Sequence, residues 1–198
     1  MKKDIILAGV GGQGILSIAT IIGEAATKTG LNLKQAEVHG MSQRGGDVQS
    51  NLRLSTETIH SDLISKGGAD LIIAMEPMEA LRYAEYMKKD AVIVTSSHPF
   101  VNIPNYPDDI QEQIKVLCEA NPQITLVQSD IEELAKEHKV PKSANVILLG
   151  MAASYLNIIT ADQLREAVGS VFASKGEAVT KANYLAFDLG MRITQQGQ

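Results

Sequence analysis

The chain opens on an apolar run, a cluster of glycines and a stretch of apolar positions at helical spacing. Residues 5–8 are all apolar, four of the next six residues are glycine, and isoleucine or alanine then recurs three or four positions apart from Ile15 to Ala26. The unbroken run predicts a buried strand, and the spacing predicts a helix. Gly30 suits the end of that helix, because helix C-termini often need a left-handed residue. The pattern therefore predicts a strand, a tight turn and a helix.

The same alternation continues through the middle of the chain. The predicted strands are 31–38, 69–75, 91–96 and 124–128, and the predicted helices are 76–87, with Pro77 in its first turn, and 129–138, starting at Ser129 or Asp130. Strands 69–75 and 91–96 hardly alternate, which is typical of parallel strands covered on both faces. We therefore predict a doubly wound, Rossmann-like α/β fold with a mostly parallel sheet, helices on both faces, and sites at the carboxyl ends of the strands.

Two segments interrupt this rhythm. Val48 to Ser55 alternates only loosely and predicts an extra edge strand or a hairpin. The segment 98–109 contains Pro99, Pro104 and Pro107, so we expect an irregular loop on the surface.

The last third of the chain is predicted to be helical, with helices at 143–156, 160–172 and 175–194. Thr160 and Gln163 have the spacing of a capping box. The segment 146–156 is apolar on nearly every face, so we expect it to be sandwiched inside the domain or buried against another chain. With 198 residues and no recognisable linker, residues 1–198 are expected to form a single domain.

Composition excludes several classes of function. The formal net charge is −5, and no apolar stretch reaches the roughly 18 residues of a membrane span, so we expect neither nucleic acid nor a membrane as a partner. One cysteine, Cys118, cannot form an internal disulfide or hold a zinc ion or an iron–sulfur cluster. The four histidines are scattered, so no metal site is predicted. These features favour a cytoplasmic location.

The glycine cluster is the first candidate site. Residues 9–14 read GVGGQG, a GxGxxG pattern between a strand and a helix, which suits a diphosphate held by backbone amides at the helix start. Ile15 and Leu16 stand where a phosphate-binding P-loop needs Lys and Ser or Thr, so hydrolysis of a nucleoside triphosphate is disfavoured. The alternative is that these glycines only allow the strand and the helix to pack closely.

The second candidate site is the polar segment 37–47, EVHGMSQRGGD, which follows the second predicted strand. In a doubly wound sheet it lies at the same end as the glycine turn, where Arg44 could bind phosphate or carboxylate. The alternative is a solvated loop in which Arg44 pairs with Glu37 or Asp47. The candidate binding residues of the two segments are Gly9, Gly11, Gly12, Gln13, Gly14, Glu37, His39, Ser42, Gln43 and Arg44; no catalytic residue is assigned. Thinner candidates are Glu76 and the segment 96–99, each at a strand end.

Together, GVGGQG and EVHGMSQRGG resemble the gamma subunits or domains of 2-oxoacid:acceptor oxidoreductases, and the resemblance extends over essentially the whole chain. HGMSQRGG favours the indolepyruvate:ferredoxin type over the pyruvate type. The resemblance implies a subunit, inactive alone, of an enzyme that converts a 2-oxoacid and coenzyme A to an acyl thioester and CO2 while reducing ferredoxin. It also implies that thiamine diphosphate and the iron–sulfur clusters belong to a larger alpha subunit. This chain would then complete the cleft or hold coenzyme A.

Two other hypotheses stay open. Glu37 lies 23 residues after Gly14, about where an acidic residue binds the ribose of NAD, so a self-sufficient NAD-dependent oxidoreductase is possible. Against it, no tyrosine is followed four residues later by lysine, and no other hydride-transfer pattern is present. The third hypothesis is a purely structural assembly subunit, in which the glycine turn binds nothing.

Overall fold

The computed structural model describes residues 1–39, 46–100 and 106–196, with the side chains of His39 and Gln196 also excluded. Within these ranges the strands are β1 (Lys2–Val10), β2 (Asn32–His39), β3 (Asp47–Ser55), β4 (Ala69–Ala74), β5 (Met87–Ser96) and β6 (Thr125–Ser129). The helices are α1 (Ile15–Lys28), α2 (Pro77–Arg82), α3 (Ile110–Ala120), α4 (Ile131–Glu137), α5 (Ala144–Leu156), α6 (Ala161–Phe172) and α7 (Glu177–Gln196).

The strands form one sheet in the order β2-β3-β1-β4-β5-β6. Strands β1, β4, β5 and β6 are parallel, and β3 is antiparallel to both of its neighbours. The predicted hairpin is confirmed, because β2 and β3 pair antiparallel on either side of residues 40–46. The edge-strand alternative is wrong: β3 lies between β2 and β1, and Leu52 and Leu54 are fully buried under the helices.

Helices cover both faces of the sheet, as the sequence predicts. Ile5 and Leu7 of β1 face the larger core, which contains residues of α1, α5, α6 and α7. Ile6 and Ala8 point to the opposite face, where the core includes residues of α2 and a partly buried leucine of α3. The doubly wound arrangement therefore accounts for the nearly continuous apolar runs of the central strands. None of the helices in the described ranges combines the length and hydropathy needed to cross a bilayer.

Helix α5 is the central helix of the larger layer. Ten of its thirteen residues are buried within this chain, so of the two predicted alternatives, burial inside the domain is the one confirmed. It crosses α7 at two glycines: a Cβ on Gly150 would lie 2.2 Å from the Phe187 carbonyl oxygen, and one on Gly190 would lie 2.0 Å from that of Ile147. The two backbones are therefore in direct contact.

Several local predictions are confirmed, one is corrected, and one helix was missed. Gly30 adopts φ 73°, and the Thr160–Gln163 capping box is present. The predicted helix 76–87 is too long, because α2 ends at Arg82, a short 3-10 turn covers Ala84–Tyr86, and β5 begins at Met87. Helix α3 was not predicted from sequence. Only two of its residues, Ile110 and Ile114, are buried.

Candidate functional site

The glycine turn meets the end of the segment after β2 at the carboxyl edge of the sheet. Val10, the last residue of β1, pairs with Asp47, the first residue of β3. The Gly11 amide then donates a hydrogen bond to the Gly46 carbonyl oxygen, 2.9 Å away. The two predicted loops thus meet at one edge, as expected. Residues 40–45, with Ser42, Gln43 and Arg44, lie outside the described residues, as does the side chain of His39.

Hydrogen bonds within residues 9–14 fix the shape of the glycine turn. The Gln13 side-chain oxygen accepts from the Val10 amide at 2.7 Å, and the Gln13 amide donates to the Val10 carbonyl oxygen at 3.1 Å. A Cβ on Gly9 would lie 2.8 Å from Ile15, so this glycine does serve close packing. Gly12, at φ 101°, would place a Cβ with no atom within 4 Å. The turn is therefore packed at Gly9 and open at Gly12.

The N-termini of two helices converge beside the turn. Gly14 precedes α1 and Ser143 precedes α5, and neither helix has a side-chain cap. The Asn145 side-chain amide donates to the Gly14 carbonyl oxygen at 3.1 Å and joins the two helix starts. Each uncapped N-terminus presents amide hydrogens and a partial positive charge, so this junction favours an anion.

Two clefts adjoin this junction and share one wall. The shared wall consists of Gly12, Gln13, Pro141, Lys142 and Asn145. The sheet-side cleft has a volume of about 560 Å³ and is also lined by Met75, His98, Phe100, Glu132 and Lys136. The helix-side cleft has a volume of about 650 Å³ and is also lined by Ser17, Lys139, Ser143, Phe172, Lys175 and Val179. Both volumes are within the range of small-molecule sites.

The two clefts differ in charge. Among the described residues that line the helix-side cleft there are three lysines, Lys139, Lys142 and Lys175, and no acidic residue. The sheet-side cleft contains the carboxylate of Glu132, whose pKa is raised by burial. Ser96, fully buried, donates to one Glu132 carboxylate oxygen at 2.7 Å. The helix-side cleft is thus the more attractive site for a phosphate, although the chain as a whole is acidic.

Glu37 is too far along the sheet for the role that the NAD hypothesis gives it. In the dinucleotide-binding fold the second strand lies beside the first, but here β3 separates β2 from β1. Two strand spacings, about 10 Å, therefore lie between Glu37's strand and the strand of the glycine turn. The Gln35 side-chain amide also donates to a Glu37 carboxylate oxygen at 2.8 Å. This arrangement weighs against an NAD site.

Comparison with known families agrees with the fold and the turn. Residues 4–193 match the family described as pyruvate ferredoxin/flavodoxin oxidoreductase. The chain belongs to this family. The prediction made from GVGGQG and EVHGMSQRGG is therefore confirmed, and this family member carries both the lysine-lined cleft and the glycine turn at one edge of its sheet.

Relatives of this family member span its full length. It is 33% identical to the indolepyruvate oxidoreductase subunit IorB of Archaeoglobus fulgidus, over 100% of this chain and 98% of that one. It is 34% identical to the subunit of the same name from Pyrococcus horikoshii, over 99% of this chain and 98% of that one. The resemblance to the indolepyruvate type thus holds along the whole sequence.

Solved structures share the fold. The 2-oxoglutarate:ferredoxin oxidoreductase of Magnetococcus marinus, with 2-oxoglutarate, coenzyme A and succinyl-CoA bound, matches at TM-score 0.77 and 24% identity, over 98% of this chain and 31% of that one. This chain therefore spans under a third of the Magnetococcus protein. The gamma subunit of a keto/oxoacid ferredoxin oxidoreductase from Geobacter sulfurreducens matches at TM-score 0.71 and 21% identity, over 98% and 99% of the two chains.

On the other face of the sheet, two carboxylates of this chain, Glu76 and Glu79, are buried. Glu76 caps α2 by accepting from the Met78 and Glu79 amides, and it also accepts from the Tyr106 hydroxyl at 2.6 Å. Glu79 bonds to Arg82 through one oxygen, while its other oxygen is buried without a hydrogen-bond partner in the described part of the chain. Burial raises the Glu79 pKa to about 7. Glu76 is therefore a structural cap.

Sequence reasoning missed the lysines, Ser143 and Asn145. Lys136, Lys139 and Lys142 follow one another at intervals of three, just before the apolar α5, which was the available signal. Lys175 is more than 30 residues away along the chain, so nothing local connects it with them. Within the described residues, no group of three His, Cys, Asp or Glu side chains is placed to hold a metal ion.

Proposed function

We propose that this chain is the smaller subunit of an indolepyruvate-type 2-oxoacid:ferredoxin oxidoreductase and that it contributes the coenzyme A site of the complex. The names of the full-length relatives support the subunit assignment. The observation that carries the coenzyme A role is the junction of Gly12, Asn145 and Lys142, where two uncapped helix N-termini and a lysine meet between two clefts. The Magnetococcus enzyme, whose structure contains coenzyme A, supports the same role.

The chemistry of coenzyme A fits this junction. The molecule has a diphosphate at its centre, a phosphorylated adenosine at one end and a long, mostly neutral arm that ends in a thiol. No atom lies within 4 Å of the position that a Cβ would take at Gly12, so a ligand has room to approach the backbone there. The amides at the starts of α1 and α5 suit the charge of the diphosphate. The two clefts on either side provide room for the two ends. The diphosphate therefore belongs at the shared wall.

In this proposal the chain binds and orients coenzyme A, and the partner carries out the oxidation. Thiamine diphosphate and iron–sulfur clusters, held by the alpha subunit, would supply carbanion stabilisation and electron transfer to ferredoxin. The residues of this chain hold the diphosphate so that the thiol reaches the acyl group formed on the partner. Such positioning replaces an encounter in solution with an intramolecular step. We also propose that residues 1–198 form one gamma-type domain and that the complex is cytoplasmic.

The predicted residues Gly9, Gly11, Gly12, Gln13 and Gly14 belong to this proposed site. His39, Ser42, Gln43 and Arg44 remain candidates for it, since their segment includes Gly46, which accepts the hydrogen bond from the glycine turn. Arg44→Ala in the assembled complex tests the segment: a raised coenzyme A KM supports a binding role. If the Arg44→Ala complex has the full activity of the wild type, Arg44 does not bind coenzyme A.

Reconstitution tests the proposed function. The alpha subunit of the same organism is purified alone and together with this chain, and indolepyruvate-dependent reduction of viologen and formation of acyl-CoA are measured. We expect coenzyme A-dependent turnover only when this chain is present. An unchanged rate without it would refute the proposal. Titration of NAD into the isolated chain tests the rival enzyme hypothesis, for which micromolar binding would be required.

A further inference from the structure

A buried carboxyl group of α2 has an oxygen without a hydrogen-bond partner. Glu79 is only 1% exposed. One of its oxygens accepts a hydrogen bond from the Arg82 guanidinium at 3.1 Å, whereas Oε2 has no partner in the described part of the chain. Buried polar atoms normally have a partner, so an orphaned one calls for an explanation. The lack is most costly when Glu79 is ionised, because a buried charge depends on hydrogen-bond donors.

Glu79 and Asp47 share the same two donor groups. The Tyr83 hydroxyl donates to the Asp47 carboxylate at 3.5 Å, which is a long and therefore weak hydrogen bond. The charges of Glu79 and Asp47 raise the pKa of the Arg82 guanidinium, against the lowering effect of burial. Burial raises the pKa of the Tyr83 hydroxyl, and the same two carboxylates raise it further. Two carboxyl groups therefore compete for one hydroxyl and one guanidinium.

The other titratable groups around Glu79 supply no further donor. Glu76 adds a negative charge, and the Tyr106 hydroxyl is already bonded to Glu76 at 2.6 Å. Burial raises the Glu79 pKa to about 7, against the lowering effect of Arg82 and with further contributions from Glu76 and Asp47. Within the described residues, an ionised Glu79 can therefore gain a donor only from the two groups that also serve Asp47.

Asp47 connects these side chains to the glycine turn. It is the first residue of β3 and pairs with Val10, the last residue of β1. The preceding residue, Gly46, accepts the hydrogen bond from the Gly11 amide at 2.9 Å. We call the Val10–Asp47 pair and the Gly11–Gly46 hydrogen bond the β3 attachment. The Tyr83 hydroxyl holds the Asp47 side chain at this point, so a change in its hydrogen bond acts on the place where β3 meets the turn.

We infer that the proton on Glu79 controls how firmly the β3 attachment holds the glycine turn. While Glu79 is neutral, Tyr83 and Arg82 are left to Asp47, and the attachment is kept. When Glu79 loses its proton to water, its Oε2 draws the Tyr83 hydroxyl or the Arg82 guanidinium away from Asp47. The two carboxylates then also repel each other, so the attachment opens more often.

Amide hydrogen exchange of the whole chain, followed by NMR at pH 6, 7 and 8, tests the attachment. The protection of the Gly11 amide, corrected for the pH dependence of intrinsic exchange, should fall by about three- to tenfold from pH 6 to 8. Tenfold is about the limit, reached if Glu79 recovers its ordinary pKa when the attachment opens. The Leu31 amide, which donates to the Ala26 carbonyl oxygen at the end of α1, is the internal control and should keep its protection.

Two variants test the route from Glu79 to the turn. Glu79→Gln cannot ionise, so its Gly11 protection at pH 8 should equal its protection at pH 6. Tyr83→Phe lacks the shared hydroxyl, so its Gly11 protection should already be lower than that of the wild type at pH 6 and should change less with pH. Glu57→Gln, at an exposed position, is the matched control and should follow the wild type.

A consequence for the ligand rests on the proposed function: coenzyme A should bind more tightly when Glu79 is neutral and the turn is firmly attached. In the reconstituted complex, the ratio of the wild-type KM for coenzyme A to that of Glu79→Gln should rise at least about twofold from pH 6 to 8. Taking the ratio cancels the ionisation of coenzyme A itself.

The contrary results are distinguishable. Gly11 protection that is constant from pH 6 to 8, or that changes equally at Leu31 or in Glu79→Gln, would overturn the inference. A KM ratio that is constant with pH would overturn the step from the turn to the ligand and leave the proposed function standing. If coenzyme A binding does not depend on this chain at all, the proposed function is refuted, while the exchange of the Gly11 amide still decides the inference about Glu79.

Discussion

Asn145 donates its side-chain amide to the carbonyl oxygen of Gly14, 131 residues earlier in the chain, at 3.1 Å. The bond links the first turn of α5 to the residue that precedes α1, on the wall that the two clefts share. It holds two uncapped helix N-termini at a fixed separation. An anion bound between them therefore meets prearranged donors, which lowers the ordering cost of binding.

The junction at Gly14 should not tolerate a side chain. Gly14→Ala forces an alanine to φ 84° and places its Cβ 2.7 Å from the Asn145 amide nitrogen. We expect a loss of about 2–3 kcal/mol in the free energy of unfolding, measured by urea denaturation. Gly30→Ala is the control: it has φ 73° but no atom within 4 Å of the added Cβ, so it suffers the backbone strain alone and should lose about 1 kcal/mol. Equal losses in the two variants would contradict the clash.

The crossing of α5 and α7 depends on the absence of side chains at two positions. Gly150→Ala places a Cβ 2.2 Å from the Phe187 carbonyl oxygen, and backbone atoms cannot move aside without separating the helices. A loss of about 3 kcal/mol in the free energy of unfolding is expected. Gly23→Ala in α1, whose nearest atom is a Leu33 methyl at 3.4 Å, should instead stabilise by up to about 1 kcal/mol through helix propensity. A Gly150→Ala protein as stable as the wild type would show that the crossing is looser than described.

Glu79 should make stability fall as the pH rises. Burial raises its pKa from about 4.5 to about 7 in the folded chain, so the folded state keeps a proton that the unfolded state has already lost. The free energy of unfolding therefore decreases between about pH 4.5 and 7, by at most about 3 kcal/mol from this group. Glu79→Gln removes this dependence and should be more stable than the wild type at pH 8. The free energy of unfolding of both proteins is measured by urea denaturation at several pH values from 5 to 8.

Glu57→Gln is the control for that series, because Glu57 is exposed. It should leave the pH profile of the wild type unchanged. If the free energy of unfolding changes equally with pH in Glu79→Gln and in the wild type between pH 5 and 7, the buried carboxyl does not titrate in this range.

The elements that were predicted correctly are those whose signal is local. The strand, glycine turn and helix at residues 5–30 and the wholly apolar α5 can be recognised from neighbouring residues, because burial imposes a period on them. The position of β3 could not be predicted, since loose alternation does not reveal which strands lie on either side. Lys142 and Lys175 line one cleft only because α5, α6 and α7 fold back against each other, and no local pattern records that arrangement.

The most direct test is the affinity of the reconstituted complex for coenzyme A when Lys142, on the shared wall, is replaced. Lys142→Ala should weaken coenzyme A by about tenfold or more and leave the KM for indolepyruvate unchanged, because a charged contact to the diphosphate is lost. Lys115→Ala, an exposed lysine of α3 on the other face of the sheet, should match the wild type. A Lys142→Ala complex that binds coenzyme A as tightly as the wild type would contradict the claim that this chain provides the site.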